Sequence, residues 1–128
     1  MSRDASPRWH AVCQLDSAGA VSPCIIYVAR GFLARLFGWH VLGPRQRCGA
    51  LWLPSCSVVH GAGLRAPLDV AFLSRDGTVL ALCVLRPWRV VRGPRGSCGT
   101  LESAQGSQKR WGFVRGCRLR WSALEVSS

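Results

Sequence analysis

The stretch from Pro67 to Leu85 constrains the fold more than any other. Leu68, Val70 and Phe72 alternate with Asp69 and Ala71, the period-two pattern of a strand with one apolar face. Ser74-Arg75-Asp76-Gly77 follows as a turn, with glycine suited to positive φ, and Thr78 to Leu85 then runs almost wholly apolar. The pattern predicts a hairpin whose second strand is buried on both faces, the mark of a folded domain.

Weaker signals surround it. Val21, Ile25, Ile26, Tyr27 and Val28 cluster as β-branched and aromatic residues and predict a strand. Phe32, Leu33, Leu36 and Phe37 repeat at helical spacing and stop at Gly38, which predicts a short helix. Ala50 to Leu53 reads as a brief strand ended by Pro54. Arg86 to Arg95, with Pro87, Gly93 and Pro94, reads as a long basic connection anchored only by Trp88 and Val90-Val91. Near the C-terminus, Ser107 is the expected cap of a single helical turn ended by Gly112, and Gly116 to Trp121 alternates as a last strand. The chain of 128 residues fits one domain. The expected organisation is a loosely ordered lead-in over 1–20, one β-rich domain over 21–122 and a tail over 123–128. The fold class is mainly β, a compact sandwich or jelly-roll-like single domain with one or two short helices.

Charge adds a second constraint. Apolar residues at 48% against charged residues at 18% fit a packed globule and exclude a disordered segment. The net charge of +11 comes from 17 basic residues against 6 acidic ones, and every basic residue but Lys109 is arginine. Such a surface attracts polyanions. The N-terminus has no apolar run of the secretory kind, and Ile25 to Trp39, interrupted by Arg30 and Arg35, reads as core and not as a membrane span. Seven cysteines, odd in number and irregular in spacing, fit reduced thiols in the cytoplasm better than a disulfide framework.

Three blocks of residues resemble one known family. The first is Val28-Ala29-Arg30-Gly31-Phe32-Leu33-Ala34-Arg35-Leu36-Phe37-Gly38. The second joins Leu51-Trp52-Leu53-Pro54, Val59-His60, Arg65 and Pro67-Leu68-Asp69-Val70-Ala71-Phe72-Leu73 to Asp76-Gly77. The third holds Leu101-Glu102, Gly106-Ser107, Arg110, Gly112, Gly116 and Leu119. From about Ile25 to Leu119 the chain is similar to the domain of unknown function 192 family, and the middle block is the specific one. The resemblance implies a compact, mostly β protein and supplies no biochemical activity. Relatives with the Val-His form usually continue with Thr, an aromatic and Met before the Arg, and another aromatic before the Pro. Gly61, Ala62, Leu64 and Ala66 stand there instead, and Cys117 stands where relatives often place Asp.

His60, Arg65 and Asp69 form the candidate ligand-binding set, as base, anion clamp and orienting carboxylate. The alternative is structural: Asp69 accepts backbone hydrogen bonds, Arg65 pairs with it, and His60 is a satisfied loop residue. No catalytic residue is assigned, because nucleophile elbow, phosphate-cradling glycine loop and paired carboxylates are all missing from the sequence. No cofactor is implied, and Cys48, Cys56 and His60 have the wrong spacing for a metal site. The leading expectation is a small non-enzymatic binding or accessory domain for a protein or small ligand. One alternative is polyanion or nucleic-acid binding through Arg86, Arg89, Arg92 and Arg95; another is an enzyme of unassigned class using His60.

Overall fold

The predicted hairpin forms, and the rest of the molecule is built outward from it. A computed structural model describes residues 10–16, 24–29, 38–43 and 46–123. The hairpin joins β5 (Leu68–Leu73) to β6 (Val79–Leu85). Its turn is closed by Ser74 and Thr78, with Gly77 at φ 87°. On its other side β5 pairs antiparallel with β8 (Gly99–Ala104), and β8 with β3 (Ala50–Pro54). Beyond these lie β2 (Cys24–Val28), β1 (His10–Asp16) and β9 (Arg118–Ala123), giving the sheet order β6-β5-β8-β3-β2-β1-β9. A separate ribbon pairs β4 (Val58–His60) with β7 (Val90–Arg92).

The sheet curls until its two edges touch. Thr78 in front of β6 bridges Arg118 of β9, Val79 N–H donates to the Cys117 carbonyl, and Leu119 N–H donates to that of Gly77. A Cβ on Gly77 would lie 2.5 Å from the Leu119 oxygen, so this closure needs glycine. Curling separates two apolar clusters on the two faces of the pleat. Ile26, Ala50, Ala71, Leu73, Val79, Leu101 and Leu119 meet on one face, with Phe113 and Cys117. Tyr27, Leu51, Leu53, Leu68, Val70, Phe72 and Leu85 meet on the other. The alternation read from β5 thus divides its residues between two cores. Truncating the fully buried Phe72 to Ala is expected to cost about 3–5 kcal/mol.

One pairing decides where a site can form. β2 and β3 run parallel, and parallel neighbours need a crossover connection. The chain between Val28 and Ala50 supplies it, laying Trp39 and Leu42 onto the second cluster as buried residues. Its two described 3-10 turns are Gly38–Val41 and Gln46–Cys48.

The class expected from sequence, mainly β in a compact single domain, is the one observed. Several details differ. His10–Asp16, read as lead-in, is a strand between β2 and β9, where tertiary pairing supplies what local pattern does not. β6 is an edge strand with Leu82 and Val84 partly exposed, so it is not buried on both faces; strand order, which the apolar run does not encode, decides this. The 86–95 connection contains β7, and its anchor is Val91, while Trp88 and Val90 are 75% and 67% exposed. Ser107 is not a cap: it lies inside the short helix α1 (Ser107–Arg110), and its Oγ bonds Ser103 Oγ and the Ala104 carbonyl, each at 2.6 Å. Gly112 does end that turn, at φ 88°. The helix expected over Phe32 to Phe37 lies outside the described residues.

Candidate functional site

The crossover and the loop between β4 and β5 face each other across the open end of the second cluster. Between them is a cleft of about 470 Å³ lined by Trp39, His40, Arg47, Gly63, Leu64, Arg65, Ala66, Leu68 and Ala104. Its floor is apolar, with Leu64, Leu68 and Trp39 buried. Its rim is basic, with Arg47, Arg65 and His40 exposed, and among the described residues no acidic side chain lines it. The volume lies within the range of small-molecule sites.

Local bonding fixes the rim. His40 Nε2 donates to the Ala62 carbonyl at 2.9 Å, which assigns the proton to that nitrogen, since a carbonyl only accepts. From the other side, Ala62 N–H reaches His60 Nδ1 at 3.3 Å. Gly63 follows at φ 79° and Leu64 N–H returns to the Gly61 carbonyl, so the loop is a tight turn delivering Leu64 inward and Arg65 outward. Gly61 is itself required: a Cβ there would lie 2.2 Å from the Arg86 carbonyl oxygen. Gly61 is therefore matched to a close backbone approach and Gly63 to its left-handed φ.

The three residues nominated from sequence go to three places. Arg65 is on the cleft rim. His60 is exposed on the outward side of β4, opposite the buried Val59, and reaches the cleft loop through Ala62. Asp69 is on the other face of the sheet, because it alternates with Leu68. Its Oδ2 accepts the backbone N–H groups of Gly106 and Gln108 at 2.9 and 3.1 Å, which holds the start of α1. Arg86, Arg89, Arg92 and Arg95 are all exposed along the ribbon side of the molecule.

Trp39, His40, Arg47 and Glu102 escaped sequence reasoning. Glu102 lies under the cleft on β8, opposite Leu51 and Val70 in register and 3% exposed. It takes a hydrogen bond from the Trp39 backbone N–H, yet among the described residues its Oε1 has no partner. Burial pushes its carboxyl up to about 7, against the opposing pull of that N–H. The available signal was a lone acid within an otherwise uncharged strand, Gly99 to Ala104.

No protein-family model matches the chain. Over 63 residues it is 36% identical to a UPF0127 protein of Pyrococcus furiosus, a member of an uncharacterised family. That match takes in 41% of this chain and 54% of the relative, so the chain spans about half the length of the curated protein it matches. Two solved structures share the fold. One is a proposed transcription regulator from Sinorhizobium meliloti, with a TM-score of 0.76, 18% identity, and coverage of 93% of this chain and 98% of that one. The other is a protein of unknown function from Novosphingobium aromaticivorans, with a TM-score of 0.64, 15% identity, and coverage of 88% and 84%. At these identities the likeness is one of fold alone.

Proposed function

We propose that the chain is a small non-enzymatic binding or accessory domain of the domain of unknown function 192 type, and that its cleft captures a small carboxylate- or phosphate-bearing ligand. The observation carrying this is the pairing of an apolar floor at Leu64 and Leu68 with a rim of Arg47, Arg65 and His40 and no acid among the described lining residues. Arginine forks match planar anions in two-point contact, and the floor takes the ligand's apolar body. Arg65 is the anion clamp. His60 is a positioning residue that holds Ala62, and through it His40. Asp69 supports the site from the opposite face by holding α1 against β8. The five described free thiols, Cys48, Cys56, Cys83, Cys98 and Cys117, suit a cytoplasmic setting. No described helix is long and apolar enough to cross a membrane.

The test is a thermal-shift and calorimetry screen of carboxylates and phosphates with graded apolar bodies. A hit on the wild-type protein should lose at least tenfold in affinity in the Arg47→Ala, Arg65→Ala double variant, with Tm unchanged. His60→Ala should weaken the same ligand less. Equal binding by the double variant would move the ligand elsewhere.

A further inference from the structure

Opposite in character to the cleft is the outward face of the β4–β7 ribbon. Cross-strand pairing sets Val58 beside Arg92 and His60 beside Val90, and all four are exposed on the side away from the buried Val59. Just before β7 the chain makes a turn in which Trp88 adopts φ 63°, a left-handed conformation that bulky residues avoid. Three contacts hold it there. Trp88 N–H donates to the Gly61 carbonyl and Gly61 N–H donates to the Arg89 carbonyl, both at 2.8 Å, while only a glycine at 61 admits the Arg86 carbonyl so closely. The fold therefore fixes this backbone from both sides and leaves the indole 75% exposed. An over-determined outlier that presents an aromatic ring to solvent points to a contact surface.

Charge says what the contact is. From Gly77 to Leu101 the sequence has four arginines, at 86, 89, 92 and 95, and no acid. The three acids with described side chains are engaged elsewhere: Asp69 with α1, Asp76 with Arg118 at 2.8 Å, and Glu102 in the core. None of them neutralises the ribbon. The apolar groups do not form a continuous face either, because each outward valine of the ribbon, Val58 and Val90, has a cationic or polar cross-strand neighbour, Arg92 and His60. A membrane-inserting surface is contiguous in its apolar groups; here a ring and two small side chains are interleaved with cations. Interleaved cations and exposed rings are the arrangement that binds unpaired bases and the phosphates between them.

We propose that the outward face of the β4–β7 ribbon, with the Trp88 turn, binds single-stranded nucleic acid. Trp88 stacks on a base, and Arg86, Arg89, Arg92 and Arg95 engage phosphates. Stacking accepts any base, so the surface discriminates single from double strands and not one sequence from another.

The probe is a labelled oligothymidylate, measured by anisotropy across a salt series, beside the matching duplex, heparin and phosphatidylserine vesicles. Trp88→Gly is the main variant, because glycine accepts φ 63° and the change relieves strain, so this protein should fold at least as well as wild type. It should bind oligothymidylate roughly tenfold more weakly with the salt slope unchanged, and bind heparin as wild type does. The Arg89→Ala, Arg92→Ala variant should lower the slope by about 1.4, as expected for two fewer phosphate contacts on a single strand. Trp88→Phe should retain most of the affinity. Oligothymidylate binding that survives Trp88→Gly, or duplex or vesicle binding tighter than single-strand binding, would overturn the proposal.

Discussion

Asp69 and Glu102 are carboxylates on adjacent strands, one residue out of register with each other, and they meet opposite fates. Asp69 pairs across β5–β8 with Ser103, while Glu102 pairs with Val70. The pleat sends Asp69 toward α1, where one of its oxygens receives two backbone N–H groups, and sends Glu102 into the second cluster, where one of its oxygens receives none from the described residues. Their difference teaches that a carboxylate in this sheet is a clip or an ionisable core group according to pleat position alone.

The largest effect should come from Glu102. Its carboxyl titrates near 7 when folded against an ordinary 4.5, so between those values the native state holds more protons than the unfolded state. The Glu102 contribution to stability is then greatest below about pH 4.5 and is lost as pH rises through 7, by up to about 3 kcal/mol. Urea unfolding from pH 5 to 8 should show this decline, and Glu102→Gln should flatten it. A profile that stays sloped in the variant would break the contrast between the two acids.

Next in size is Asp69→Ala, which strands the N–H groups of Gly106 and Gln108 and should cost about 2 kcal/mol, with Asp69→Asn costing less. Urea midpoints read this directly. Loss of ligand capture at unchanged stability would instead return Asp69 to the binding site.

Smallest is Asp76, an exposed acid that serves as an outside reference. Hydrogen bonds from Ser74, Thr78 and Arg118 hold its carboxyl well below the usual carboxylate range. A group lowered in this way stabilises the fold above its unfolded pKa, and the stabilisation fades as pH falls through the folded one. A shallow acid limb below pH 4 should therefore persist in Glu102→Gln, and in Arg118→Ala it should be smaller and level off at higher pH.

The hairpin was legible because β5 alternates between two cores, so each of its residues reports a local rule. Gly77 was legible for the same reason, as the turn chemistry is local. The cleft was not. Its rim comes from a crossover imposed by the parallel β2–β3 pair, and a parallel pairing leaves no mark on either strand's own sequence. Arg65 was found through its place beside the hairpin, whereas His40 and Arg47 reach the same rim from outside that neighbourhood. Ala62 and Ala66 stand in sequence where relatives carry rings; in space the neighbouring Gly61 is where two backbones touch.

The pairing of β1 with β9 has a consequence for synthesis. The earliest and the latest described strands lie side by side over six residue pairs, Ala11↔Ala123 to Asp16↔Arg118. A ribosome adding roughly 5–20 residues per second needs on the order of 5–20 s to travel from one to the other. Through that interval the outer edge of β1 has no partner, and the sheet can close only once its last strand has emerged. Any agent that shields a nascent β1 edge should therefore raise the yield of folded protein, and slowing translation after β1 should lower it.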